Sequence, residues 1–537
     1  MSETQQPDLD VLIVGAGFGG MYMLKKCRDM GLKAHVFERG DGVGGTWYWN
    51  RYPGARCDVE SMQYSMQFDP ALEQEWEWTE RYAPQPEILK YANHIADRYD
   101  LRSDISFESA VQSTHFDETT GCWNASVSSD NSRQVTARFI VMATGCLSVP
   151  NKPRIGQDKY KGAIYHTGEW PHEGVDFTGM TVGIIGTGSS SIQSIPLIAE
   201  QAKHLTVFQR TPNYAVPAHN ASIDQDMVRH VKANYPRLRA EAKLMPAGIA
   251  VDFRDVSALD ATDEERRAEF QKRWDYGGLT FLGGFNDLLL NPDANKFAAE
   301  FVREKIREIV SDPATADLLS PDNVIGCKRL CVDTGYFKTY NRPNVSLVDI
   351  AGTPIEELTE AGVRVGGKDY EFDAIVFATG FDAMTGALLN IDIRGRGGER
   401  LADKWDGGPR NYLGLSMHGF PNMFTVTGPG SPSVLTNMLP SIEQHVEWIA
   451  DCIGDLRARG ATLIEPDLDA ENDWVDHVNQ VSGLTLRSTC SSWYVGANVP
   501  GKPRVFMPYI GGFPAYAERC RQIVANGYEG FQITEAA

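Results

Sequence analysis

Apolar residues along this chain fall into two rhythms: short unbroken runs that stop at glycine, and longer stretches in which they recur every three or four positions. The first run, Asp10 to Val14, predicts a buried strand. Gly15-Ala16-Gly17-Phe18-Gly19-Gly20 follows, then a helical pattern to about Met30 and a second strand from Lys33 to Glu38. This is a βαβ unit. The same order returns with a strand at Thr181 to Ile185, glycines from Gly186, a helix to about Gln201 and a strand at Leu205 to Gln209. Two further runs, Phe139 to Met142 and Ala374 to Phe377, each end in Ala-Thr-Gly. They predict buried strands that stop at glycine turns, where a chain can cross between domains.

Between about 223 and 322 the text becomes charged and helix-periodic, as in Asp263 to Trp274 and Ala294 to Val310. Past Phe381 come loops, including Gly428-Pro429-Gly430-Ser431-Pro432, and a helix from about Ser441 to Leu456. The pattern predicts an α/β chain with two Rossmann-like dinucleotide-binding domains and a helical insertion in the second. The expected partition is 1–145 and 381–537 for the first domain, 146–222 and 323–380 for the second, and 223–322 for the insertion.

Charge and cysteine content narrow the partners. Of 537 residues, 71 are Asp or Glu against 51 Lys or Arg, a net charge of −20. That balance argues against a nucleic-acid or anionic-membrane partner. The N-terminus MSETQQPDLD lacks the basic start and apolar stretch of a secretion signal, and no run is long enough to span a bilayer. The nine cysteines form no CxxC and no metal-type spacing, so reduced thiols, a cytoplasmic location and no metal are expected.

The glycine loops carry the first chemistry. A loop such as Gly15, Gly17, Gly20 lets a pyrophosphate rest on a helix N-terminus. Glu38 lies 18 positions beyond Gly20, where an acid suits a free ribose 2′-hydroxyl, as in FAD or NAD. The second loop reads Gly186-Thr187-Gly188-Ser189-Ser190-Ser191, with serine in the third glycine's place and Gln193 two residues on. Its second strand ends not in an acid but in Gln209-Arg210-Thr211. Arginine there pairs a 2′-phosphate, so the first unit is expected to hold FAD and the second NADPH. An ordinary surface role for Arg210 stays open on spacing alone.

Two longer motifs follow. Gly44-Gly45-Thr46-Trp47 runs on through Arg51, Tyr52-Pro53-Gly54 and Arg56 to Asp58, a mixture that fits a shaped loop beside a flat cofactor. Tyr160, Gly162, His166 and Trp170-Pro171 precede the second nucleotide unit. By themselves His166 reads first as a satisfied interior histidine and Trp493 first as a core aromatic, while Asp58 reads equally as one half of a structural salt bridge.

Together these motifs resemble the type I Baeyer–Villiger monooxygenases. Gly44 to Asp58 matches the family pattern G-G-x-W-x(4)-[FY]-P-G-x(3)-D at every fixed position, and Tyr160 to Pro171 matches F-x-G-x(3)-H-x(3)-W-P with Tyr for Phe. The likeness covers nearly the whole chain, including Cys327-Lys328-Arg329-Leu330 and Ser492 to Asn498, and is nearest to phenylacetone and steroid monooxygenases, then cyclohexanone monooxygenase. It implies conversion of ketones to esters or lactones with O₂ and NADPH through a C4a-peroxyflavin. It also implies residue roles. Arg329 looks like the arginine facing the flavin, kept charged so that it stabilises anions, and Asp58 the acid that orients it. Lys328 and Arg210 look like the 2′-phosphate pair, with Thr211 beside them. His166 and Trp170 look structural or cofactor-linking, and Trp493 like a loop tryptophan closing over NADP⁺. Ser433, Val434 and Leu435 resemble a substrate-pocket loop, with plain core packing an equal reading.

The nearest rival is an N- or S-oxygenating flavin monooxygenase, which needs no facing arginine and lacks the Trp-Pro ending. A disulfide reductase needs a redox cysteine pair that the spacing does not offer. A non-enzymatic flavin-binding sensor has no use for a 2′-phosphate site beside Arg329 and Asp58. Expected partners are a small ketone and O₂, with the chain a monomer or weak homo-oligomer.

Overall fold

The runs of valine, isoleucine and leucine form parallel strands covered on both faces, as such runs require. A computed structural model describes residues 6–128 and 133–535; the reading of Met1 to Gln5 lies outside them. In the first sheet Leu9–Val14 pairs in parallel with Ala34–Phe37 on one side and Arg133–Met142 on the other. Met423–Thr425 adds in parallel to Arg133–Met142. An antiparallel meander, Ala110–Asp117 with Cys122–Ser128, continues this sheet. The second sheet is wholly parallel, in the order Val345–Asp349, His204–Gln209, Thr181–Ile185, Ala374–Phe377, Ala163–His166.

The sequence pattern placed most of these elements to within a residue or two. Arg133–Met142 is longer than the apolar run Phe139 to Met142, because its outer half alternates as part of the meander. The late helix runs Met438–Arg459 rather than from Ser441 to Leu456.

The duplication of the glycine loops has a steric counterpart. Gly15 (φ +99°) lies so close to the Ala143 carbonyl that a Cβ would stand 2.7 Å from its oxygen; Gly186 (φ +118°) stands in the same relation to the Ala378 carbonyl, at 2.4 Å. In both units the first glycine is therefore pressed against the alanine of the Ala-Thr-Gly tripeptide. Gly20 is tighter still, since its Cβ would meet the Gly15 oxygen at 1.8 Å. Ser191 takes the equivalent place in the second unit, fully buried with its hydroxyl unpartnered among the described residues.

The helical region divides between two cores. Val228 and Tyr235 of Gln225–Lys243 pack into the first core, and Arg239 of that helix forms a buried ion pair with Glu73 (3.0 Å). Asp263–Tyr276 and Pro292–Ile309 instead join the second core through Phe270, Trp274, Phe301 and Ile306.

One expectation is overturned. Cys327 and Cys490, 163 residues apart, form a disulfide, while the other seven cysteines are free and buried. Linear spacing hid the pair because the fold, not the local sequence, brings the two segments together.

Candidate active site

A cavity of about 720 Å³ runs along the first glycine loop and is lined by Gly15, Gly17, Glu38, Gly45, Thr46, Trp47, Asp58, Ser189, Ser190, Gln193, Arg329, Val434 and Trp493. Residues from both nucleotide units thus share one space. Glycines make room for it. A Cβ on Gly45 would stand 2.9 Å from the Gly17 Cα, whereas one on Gly188 would meet nothing. The two loops at the first unit are packed backbone to backbone, and the second unit has open space at its helix N-terminus. These are the dimensions and donors that extended dinucleotides require.

Glu38 is nearly fully buried. Its carboxylate accepts hydrogen bonds from the Ala16 amide (2.7 Å) and the Gly40 amide (2.8 Å). It therefore fixes the glycine loop as well as facing the cavity. Trp47 donates its indole N–H to the Tyr64 hydroxyl (2.9 Å). Gln193 accepts from the Tyr52 hydroxyl (2.8 Å) and donates to the Arg56 carbonyl (3.0 Å), so it ties the second unit's helix to the 44–58 loop. Thr187 donates to the Thr211 carbonyl (2.9 Å), closing the end of the strand that carries Arg210.

At the wall between the two domains Arg329 meets Asp58 in a paired geometry: Nε donates to Oδ2 at 2.8 Å and Nη2 to Oδ1 at 2.7 Å. The remaining Nη1 donates to the Val434 carbonyl. Such a fork–fork pair fixes the guanidinium plane. Burial works against the charge on Arg329, but the Asp58 carboxylate more than offsets it and holds the group above its ordinary range.

Arg210 is exposed and Lys328 partly covered, and neither side chain makes a hydrogen bond or ion pair among the described residues. Burial, and then the charge of Arg210, pushes Lys328 below the ordinary lysine range. The Asp322 carboxylate acts on Lys328 in the opposite sense but forms no ion pair with it, so both cations stay free to meet a dianionic group.

Other expected residues take supporting places. His166 accepts from the Gly168 amide (3.0 Å), and burial pushes it down to about 4, so it is neutral at working pH. Trp170 packs on Tyr165 and Phe177. A Cβ on Gly162 would collide with the Tyr160 ring and hydroxyl. None of the three lines the cavity, which fits a structural role. Val434 does line it, whereas Ser433 and Leu435 do not; Ser433 is buried, at φ +42°, with its hydroxyl on the Thr427 carbonyl (3.1 Å).

His445 was not foreseen. Its Nδ1 accepts from the Thr427 amide (2.8 Å) and its Nε2 faces the Tyr516 hydroxyl (2.9 Å), so it braces a residue of the cavity wall from behind. Burial pushes it down to about 3. An unfolded histidine takes up its proton near pH 6.5. Between those values the unfolded chain binds the extra proton, so this contribution to stability is lost as pH falls through that window. Thermal unfolding between pH 8 and 5 is expected to show a steeper acid loss in the native protein than in His445→Gln; equal slopes would contradict this.

The flavin-binding monooxygenase-like family model matches residues 9–231. A protein of Pseudooceanicola batsensis named Baeyer–Villiger monooxygenase is 41% identical over 98% of this chain and 96% of its own. The chain belongs to the type I Baeyer–Villiger monooxygenase family. It is an NADPH-dependent flavoprotein that uses FAD and O₂ to oxygenate ketones. A solved steroid monooxygenase bound to NADP superposes with a TM-score of 0.93 at 50% identity, covering 98% of this Baeyer–Villiger chain and 100% of that one. A phenazine N-monooxygenase of Lysobacter antibioticus is 40% identical over 99% of this chain and 98% of its own. No helix among the described residues is long and apolar enough to cross a membrane.

Proposed function

We propose that Arg329 is the charge that directs oxygen insertion, with Asp58 and the Val434 carbonyl as its orienting partners. The observation that carries this reading is the bidentate Asp58–Arg329 pair in the wall of the cavity that the first glycine loop lines. Bound FAD supplies O₂ activation once NADPH has reduced it. The chain's own residues do the rest. Gly15, Gly17, Gly20 and Glu38 seat the first dinucleotide. Gly186 to Ser190, with Arg210 and Lys328 at the 2′-phosphate, seat the second. The guanidinium of Arg329 neither gives up its proton nor swings away, so it keeps an anionic oxygen deprotonated and nucleophilic. It also stabilises the negative charge that develops on the ketone oxygen when the carbonyl carbon is attacked. Trp493 covers the cavity and keeps water out.

The apolar Val434 wall beside Arg329 supports aryl, cyclic or larger ketones as substrates. A panel of such ketones with purified protein tests this, following NADPH loss and identifying ester or lactone by mass spectrometry. No acceleration by any of them would sink the substrate reading. The 40%-identical phenazine N-monooxygenase favours a second, heteroatom-oxygenating activity on the same scaffold; an aromatic N-heterocycle in the panel, with N-oxide as product, checks it. The proposal retains the five-part domain partition, a cytoplasmic location, and a monomeric or weakly associating state. Large exposed apolar side chains such as Leu244, Leu290 and Leu484 sit on separate elements, and sedimentation tests that state.

A further inference from the structure

Between the helices Leu468–Gly483 and Phe513–Ala525 the chain has only two short turns, Leu486–Ser488 and Trp493–Val495. Connections of this length without regular structure are uncommon in compact domains, and those that exist are often functional lids. This one carries Trp493 into the cavity wall. It is also held against the segment that carries Arg329. Arg487 donates to the Gly326 carbonyl (3.0 Å). Cys490 is bonded to Cys327, two residues before Arg329. Tyr494 is fully buried, its hydroxyl has no well-aligned partner among the described residues, and it lies close to both Arg329 and Arg487.

We propose that the Cys327–Cys490 bridge is a redox-responsive tether that positions the Trp493–Tyr494 segment over Arg329, closing the cavity when oxidised and releasing the segment when reduced. This rests on the assignment of Arg329 as the directing charge. The bridge joins the loop after the helical region to the C-terminal part of the chain, so it spans the same domain boundary as the Asp58–Arg329 pair. Cys327 is fully buried and Cys490 only partly, which makes the Cys490 sulfur the accessible end. A dithiol reductant opens the bridge. Its thiolate attacks the Cys490 sulfur, the S–S bond breaks, and the Cys327 sulfur leaves and takes a proton. The reductant's second thiol then displaces Cys490, which is protonated in turn. Two electrons pass, two protein thiols form, and the reductant becomes a cyclic disulfide. In a thiol-rich compartment a bridge of this kind reports redox state rather than merely holding the fold.

Air-oxidised holoenzyme, alkylated in denaturant without reductant, is expected to yield Cys327 and Cys490 as one linked peptide; finding both alkylated overturns the proposal. Reduction with dithiothreitol, or the Cys490→Ser substitution, is expected to raise H₂O₂ released per NADPH several-fold. NADP⁺ retention on ultrafiltration should weaken several-fold, and trypsin should cut faster at Arg487 and Arg504, with flavin content little changed and the melting temperature lowered. Dithiothreitol should leave Cys490→Ser as it was, and reoxidation should restore the native enzyme. Unchanged NADP⁺ retention and cleavage on reduction would overturn the tether. Because these two readouts need no ketone, they decide on the bridge even in a protein that forms no ester, a result that would count against the function instead.

Discussion

The Arg329→Ala variant is expected to purify with its flavin bound and to form ester at one-hundredth to one-thousandth of the native rate or less. The size follows from removing a preorganised charge that acts on developing negative charge, a loss of roughly 3–4 kcal/mol. Flavin retention follows from the architecture. The seat of the first dinucleotide is built by Gly15 against Ala143, Gly17 against Gly45, and Glu38 on the Ala16 and Gly40 amides. The Arg329 side chain hydrogen-bonds to Asp58 and the Val434 carbonyl and, among the described residues, to none of these. Arg329→Lys is a sharper probe. It keeps the charge but cannot span both Asp58 oxygens and the Val434 carbonyl at once, so ester formation should fall well below native while NADPH oxidation continues and the electrons appear as H₂O₂. Absorbance spectra, NADPH consumption and product yield on the same samples separate these effects. Native ester yield from Arg329→Ala would remove Arg329 from the mechanism.

The elements beneath this site were legible for a physical reason. A parallel strand buried on both faces must be written as an unbroken apolar run, and a backbone carbonyl pressed on a glycine tolerates no Cβ. Leu9–Val14, Thr181–Ile185 and Ala374–Phe377 announce themselves in this way, as do Gly15 and Gly186 against Ala143 and Ala378. Asp58 and Arg329 could be paired only through family resemblance, since 271 positions separate them and nothing local to either records the other.

What stayed hidden has no residue-type signature. The Val434 contact to Arg329 is made by a main-chain carbonyl, which any amino acid supplies. The likeness of Val434 to a substrate-pocket residue concerns its side chain, which does line the cavity, and is silent about its backbone. The distance of Glu38 beyond Gly20 points to a ribose, yet its carboxylate also holds two amides of the protein. The Cys327–Cys490 bridge leaves no trace in the sequence, because an odd cysteine count with scattered spacing reads as free thiols. The helix Gln225–Lys243 looks by pattern like its successors in the helical region, and only tertiary packing sends Val228 and Tyr235 to the first core.

Replacing Arg210 or Lys328 by alanine is expected to raise KM for NADPH by about 10- to 100-fold and to leave kcat and KM for NADH little changed. A charge-assisted hydrogen bond to a charged group contributes roughly 1.5–3 kcal/mol, which sets that range. NADH lacks the 2′-phosphate, so both variants should converge on the NADH values. Because both cations are argued to share one phosphate, the double variant should lose less than the product of the single losses. Salt should erode the Arg210 effect more, since Arg210 is exposed and Lys328 partly covered. Lys328 also gives the reading a pH signature. Burial and the neighbouring Arg210 place its proton loss below that of an ordinary lysine. As pH rises through that point the free enzyme loses a positive charge, and kcat/KM for NADPH should fall while that for NADH does not. The fall should move to higher pH in Lys328→Arg, whose guanidinium stays charged. An unchanged ratio of NADPH to NADH efficiency in both single variants would mean that the two cations face solvent and hold no phosphate.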